Sequence, residues 1–165
     1  MRSHNPEDSI GRFLTQSLYM SPESIFSVAN TIAMIGWLVL ILLPRWRSVD
    51  QFIIGVLVTL FSIAYVFVLF HHFDFRDAQK FGTLQGVMEL FSHAELVLAG
   101  WIHYLAFDLM TGLFIVKNAR LQGIHHGFVI PCLLFTFMFG PMGLLLYLLI
   151  RWIITRQYFA SNYSN

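Results

Sequence analysis

Three stretches of this chain, Ser24 to Leu43, Phe52 to Phe70 and Gly127 to Ile150, contain no Asp, Glu, Lys, Arg or His. Each approaches or exceeds the roughly 18 to 20 apolar residues that cross the hydrocarbon of a bilayer as a helix. A fourth, Leu96 to Val116, is long and apolar too, yet it holds His103 and Asp108 and has Glu95 at its threshold. In hydrocarbon each backbone N–H and C=O must be satisfied within the protein, and runs of this length do so as helices. The sequence therefore predicts an all-α integral membrane four-helix bundle.

Composition excludes an ordinary soluble domain. Hydrophobic residues make up 57% of the chain and charged residues 12%, about half the usual charged share, and mean hydropathy is +0.67. The net charge is +1, with Lys and Arg scattered singly, so no polybasic patch points to nucleic acid. Cys132 is alone, which rules out a disulfide framework or a CxxC site.

The boundaries predict a polar arm over 1–23, one four-helix transmembrane domain over 24–155 and a polar tail over 156–165. The arm carries Glu7, Asp8 and Glu23 and lacks the basic start, apolar centre and cleavage site of a signal peptide, so a bacterial inner membrane is the expected host. An interfacial turn is placed around Ile10 to Leu18, and Ser21 and Pro22 are expected to start the first helix. Pro44 ends the first span, with Arg45, Trp46 and Arg47 as interfacial anchors. Between spans two and three, Leu84, Val87, Met88 and Phe91 recur at i, i+3, i+4 and i+7, the pattern of a short amphipathic helix at the interface. With four spans, the basic residues lean slightly toward both termini in the cytoplasm.

An ionisable group at membrane depth marks a functional site by default. Counting at 1.5 Å per residue, His103 lies about 12 Å deeper than Glu95, and Asp108 about 20 Å from it toward the far side. Asn30 and Thr31 in span one, Ser62 in span two and the Gly140-Pro141 pair in span four come to a depth like that of His103. Pro141 lacks an N–H, which would free the Phe137 carbonyl and kink the fourth helix; such a kink serves packing as readily as a cavity. On the helix His103 is about 80° round from Glu95 and Asp108 about 140° from His103, so the three form no single stripe. Each also has a structural use: Glu95 as an interfacial residue, Asp108 in a pair with Lys117, Arg120 or a free hydroxyl, His103 in an interhelical bond.

A metal reading draws on His71, His72, Glu89 and His93, which should gather at one membrane face, with Glu89 and His93 one helical turn apart. No HExxH or repeated ExxH pair accompanies them, and no metal or cofactor is assigned.

The run from Gly82 through Gly86 and Phe91 into SHAELVLAGWIHYLAFDL resembles the abscisic-acid-deficient-four family, as do Asn30, Pro44-Arg45-Trp46 and FTFMFGPMGLLLYLL. Its members are small four-helix membrane proteins linked in plants to neoxanthin formation, and in bacteria they form a domain of unknown function. The resemblance covers roughly Ser24 to Ile154. It implies that Glu95, Trp101, His103 and Asp108 match the family's motif, with Asn30 and Pro141 in support. The plant chemistry, opening an epoxide and removing a proton, or rearranging a polyene, needs general acids and bases.

The expected function is binding, and modification by acid–base isomerisation, of a carotenoid or related isoprenoid lipid. In this reading His103 is the base, Glu95 or Asp108 the acid, and Asn30, Trp101 and Pro141 line the substrate. A second reading is a non-catalytic subunit that presents pigment or lipid to a partner enzyme, as a homo-oligomer or in a complex. A third, a proton path along Glu95, His103 and Asp108, requires steps of about 8 to 12 Å bridged by water.

Overall fold

The computed structural model describes residues 21–156, so the arm before Ser21 with its turn at Ile10 to Leu18, and the tail beyond Arg156, lie outside the described residues. Helix α1 spans Pro22–Leu42, α2 Val49–His72 and α4 Ala94–Leu121, and these three are long and apolar enough to cross a membrane. Between α2 and α4 lie a 3-10 segment, Phe75–Gly82, and α3, Leu84–Leu90. Two shorter apolar helices follow, α5 His126–Phe139 and α6 Pro141–Thr155. Among the described residues there is no strand.

Helix starts follow the local chemistry. Ser21 accepts from the Ser24 N–H at 3.3 Å, and Pro22 sits in the first turn, where a missing N–H costs nothing. At the other end of α4, Gly123 takes φ +66° while the Ile124 N–H reaches back to the Ala119 carbonyl at 2.8 Å. That closure stops the helix and tucks in the buried Ile124.

Helix α2 contains a π-helical stretch, Ile53–Val58, after which the Thr59 hydroxyl donates to the Ile54 carbonyl at 2.8 Å. The wider turn admits one extra residue, so that Ile53, Leu57, Phe61 and Val68 all stay on the buried side. Helix α4 is the central element. Half of its most apolar window (50%) is buried, against 28% for α1 and for α2. Parts of this span therefore face protein rather than lipid, which lets it hold the buried Asp108.

The expected fourth span is not one helix. Gly140 adopts φ +46°, ψ −97°, a conformation that a residue with a Cβ avoids, and its N–H caps α5 on the Thr136 carbonyl at 2.8 Å. Pro141 then opens α6 at a first-turn position. The chain thus reverses where a kink in a continuing helix was expected. Helix α5 starts beside the end of α1, where His126 Nε2 lies 2.9 Å from the Ile41 carbonyl, and runs inward until Gly140 meets Asp108. Helix α6 returns alongside α4, from Asp108 past Phe114, whose ring meets Tyr147 edge-on, to Asn118, which Tyr147 and Arg151 both reach. Gly143 makes the reversal tight, because a Cβ there would lie 2.2 Å from the Thr136 nitrogen. The bundle is therefore three long helices plus a hairpin that penetrates part-way. Consequently the start of α1 and the end of α6 lie at opposite ends of the bundle, not on one side as four spans would require.

The 73–93 connection contains a short helix where one was expected: Leu84, Met88 and Phe91 are exposed, while Gly86 and Leu90 face inward. Gly86 is pressed against the Lys80 backbone. Lys80 ties the 3-10 segment to α3 through Glu89 at 2.7 Å and also pairs with Asp77; the two carboxylates, led by Glu89, raise its pKa.

Candidate functional site

One face of α4 carries a stripe of side chains with polar groups that ends at the buried Asp108. Trp101, Tyr104 and Asp108 recur at i, i+3 and i+7, and hence lie on one helix face. At the outer end of the stripe, Trp101 Nε1 donates to Asn30 Oδ1 at 3.0 Å, and the Asn30 amide donates to the Phe26 carbonyl at 2.9 Å. The Trp101 ring packs between Phe26, at 5.3 Å, and Tyr104, at 5.5 Å. Asn30 on α1 and Trp101 on α4 thus form one pair across the seam of two helices that run in the same direction.

At the inner end lies Asp108, 7% exposed. Tyr104, one turn earlier, is its hydrogen-bonding neighbour, and its Oδ2 has no hydrogen-bond partner among the described residues. The hairpin turn closes this end: a Cβ on Gly140 would stand 2.9 Å from Asp108 Oδ1. Because α6 begins at Pro141, the positive end of its dipole opens beside the carboxyl group. Interrupted helices that end at mid-depth next to a polar group are a recurring way of building membrane binding sites.

The hairpin reaches only as far as Asp108, so the seam of α1 and α4 beyond it lacks that third wall. Phe26 and Trp101 are exposed there, at 42% and 37%, and Asn30 and Tyr104 are half-buried. The seam is therefore lined by aromatic rings and open at the side, with the buried Asp108 carboxyl group at its inner end.

The other expected site residues are placed elsewhere. His103 is exposed; its ring stacks on Phe107 at 4.4 Å and meets Tyr65 of α2 at 5.7 Å. It does not lie beside Asn30 or the Gly140-Pro141 pair, where depth alone put it, because it points away from the stripe that ends at Asp108. Glu95 is half-buried in the first turn of α4, where free N–H groups favour a carboxylate. Pro141 is exposed behind the turn. Thr31 and Ser62 are also exposed and donate to their own helices, at the Ser27 and Val58 carbonyls. Asp108 takes neither of its expected basic partners: Lys117 pairs with Asp50, and Arg120 donates to the Pro44 carbonyl at 3.2 Å.

His71 Nδ1 lies 2.8 Å from the Phe67 carbonyl and Glu89 is held by Lys80. Among the described residues no three His, Cys, Asp or Glu side chains come together closely enough to hold a metal ion.

Two features escaped the sequence reading. Tyr104 stands one turn from Asp108, a spacing that is visible in the sequence. The buried set of Asn118, Tyr147 and Arg151 was not visible, because it exists only once the chain reverses. Tyr147 donates its hydroxyl to Asn118 Oδ1 at 2.5 Å, and Arg151 Nη1 reaches the same oxygen at 3.1 Å.

Fold and site together define a class: a helical membrane protein in which a broken helix brings its turn to a buried carboxyl group on the central span. The family model described as ABA DEFICIENT 4-like matches residues 24–147, more than half of the chain, and the chain belongs to that family. The match contains Asn30, Glu95, Trp101, His103, Asp108 and Pro141. No curated protein and no solved structure matches the chain.

Proposed function

We propose that this protein binds an elongated isoprenoid of the carotenoid class in the seam of α1 and α4, and isomerises it by acid–base chemistry at Asp108. The observation that carries this reading is the buried Asp108 carboxyl group, with one oxygen unpartnered among the described residues, at the inner end of the aromatic-lined seam, which serves as the binding groove in this reading. A carboxyl group there can give its proton to a substrate oxygen or polyene carbon and, as carboxylate, take another from a neighbouring carbon. The substrate's atoms are conserved, and the exchange needs no redox partner. Phe26, Trp101 and Tyr104 supply flat apolar walls suited to a polyene, and the Asn30–Trp101 pair fixes the distance between the helices. The sequence favoured His103 as base; its outward position supports giving both proton transfers to Asp108.

That same outward position favours a second reading, a subunit that presents pigment to a partner enzyme. An imidazole directed out of a span is costly in hydrocarbon unless a partner covers it. One experiment separates the two. The wild type, Asp108→Asn and His103→Ala are each produced in a carotenoid-making host, and both extracted and co-purified pigments are analysed. For the isomerase, Asp108→Asn keeps bound pigment but loses at least about 99% of the new product, given the 10²- to 10⁴-fold worth of a general acid or base, while His103→Ala retains conversion. Unchanged conversion in Asp108→Asn would sink the assignment. Bound pigment with no new product even in the wild type would establish the presenting subunit instead.

A further inference from the structure

The reversal at Gly140 redistributes charge between the two ends of the bundle. The end of α6 joins the loops that follow α1 and α4, so Arg45, Arg47, Lys117, Arg120, Arg151 and Arg156 all lie at that end, against one acid, Asp50. Among the described residues, the opposite end holds only Arg76 and Lys80 as Lys or Arg, and both are bound to acids: Arg76 to Asp74 at 3.1 Å, Lys80 to Glu89 and Asp77. Glu23 and Glu95 add to the acidic excess there. In the sequence before Ser21, Arg2 and Arg12 are offset by Glu7 and Asp8. Had the fourth segment crossed, Arg151 and Arg156 would have moved to the acidic end, and among the described residues each end would hold four Lys or Arg.

Arg45, Arg47, Arg120 and Arg156 are exposed at the basic end, and Trp46 and Trp152 are exposed beside them. Arginine with tryptophan at helix ends is the signature of an interface with headgroups, and short loops rich in Lys and Arg are held on the side where the chain is made. Anionic headgroups on that side add attraction for the same guanidinium groups.

We infer that the Arg45–Arg47–Arg120 end of the bundle is its cytoplasmic end, seated on the anionic headgroups of the inner leaflet, with the Glu23–Glu95 end facing outward. The groove beyond Asp108 then opens to the outer leaflet, and this clause alone rests on the proposed function. The test is labelling by a membrane-impermeant maleimide in a Cys132→Ser background, in spheroplasts of a bacterial host. Single cysteines report each end: Ser92→Cys the acidic one, Leu121→Cys the basic one. Ser92→Cys is expected to label at least tenfold faster than Leu121→Cys in intact spheroplasts, and the difference should disappear in detergent. Exchanging Arg45, Arg47 and Arg120 together for Gln should cut the contrast below twofold, whereas Arg76→Gln with Lys80→Gln leaves it intact. Equal or reversed labelling of the parent overturns the inference, as does full contrast in the triple variant. Neither result depends on whether pigment is bound or converted.

Discussion

Replacing Gly143 by alanine is expected to destabilise the protein by about 3 kcal/mol, the upper part of the range for forcing extra volume into a packed interior. The new Cβ would stand 2.2 Å from both the Thr136 nitrogen and Oγ1 and 2.3 Å from the Cys132 carbonyl oxygen. Two of those three atoms are backbone of α5, so no rotamer change relieves the clash and the two arms of the hairpin must separate. Thermal unfolding in detergent should record a fall of roughly 10 °C, taking a few degrees per kcal/mol for a chain of this size. The sign discriminates between the two architectures. In a single straight span, glycine to alanine within the helix would stabilise by up to about 1 kcal/mol. A melting point at or above that of the wild type would mean that α5 and α6 do not lie against each other. Gly140 cannot substitute for this test, since an alanine there would combine a forbidden backbone conformation with a Cβ 2.9 Å from Asp108 Oδ1, mixing folding with the site.

Much of this fold was legible because membrane helices advertise themselves by length and charge. The spans read as Phe52 to Phe70 and Leu96 to Val116 lie within helices Val49–His72 and Ala94–Leu121, the span Ser24 to Leu43 overruns helix Pro22–Leu42 by one residue, and Ser21 and Pro22 start α1 as expected. The fourth run misled because hydropathy measures only the absence of charge. Gly140-Pro141 in an apolar run fits a kink and a reversal equally well, since Pro is excluded from helix interiors but welcome in a first turn. What decides is tertiary: Gly143 offers no side chain to hold α6 away from α5, and Asn118 on α4 gives Tyr147 and Arg151 an acceptor at the end where α5 began.

The site was half legible for a related reason. Depth counting along α4 ranked His103 as the deepest ionisable group, but depth is not burial. The azimuth of each side chain decides which neighbour it meets, and that required knowing where α1, α2 and the hairpin stand around α4. The difference of about 140° between His103 and Asp108 sends one toward Tyr65 and the outside and the other toward Gly140. Depth counting set Asn30 level with His103, whereas in the structure Asn30 accepts from Trp101 Nε1, a partner that could not be read from depth.

The second large effect is expected at Asn118. Its Oδ1 accepts from the Tyr147 hydroxyl at 2.5 Å and from Arg151 Nη1 at 3.1 Å, and it is 1% exposed, with Arg151 at 6% and Tyr147 at 0%. Asn118→Leu fills a similar volume but withdraws the acceptor from a buried cation and a buried hydroxyl together. A hydrogen bond to a charged group is worth about 1.5–3 kcal/mol and a buried hydroxyl left unsatisfied costs about 1–3 kcal/mol, so Asn118→Leu should destabilise by about 3 kcal/mol in denaturant or thermal unfolding. Replacing the cation as well should recover part of the loss, because an apolar pair of matching volume carries no desolvation penalty. Asn118→Leu with Arg151→Leu is therefore expected to be less destabilised than the sum of the two single variants, by at least about 1 kcal/mol, the scale of coupling between residues in contact. Additive losses would show that the two side chains do not share an environment. In a chain that crossed straight through, Asn118 and Arg151 would stand at opposite faces of the membrane and could not couple. The size of this one interaction energy thus measures whether the chain turns back at Gly140, on which both the closure of the groove at Asp108 and the gathering of basic residues at one end depend.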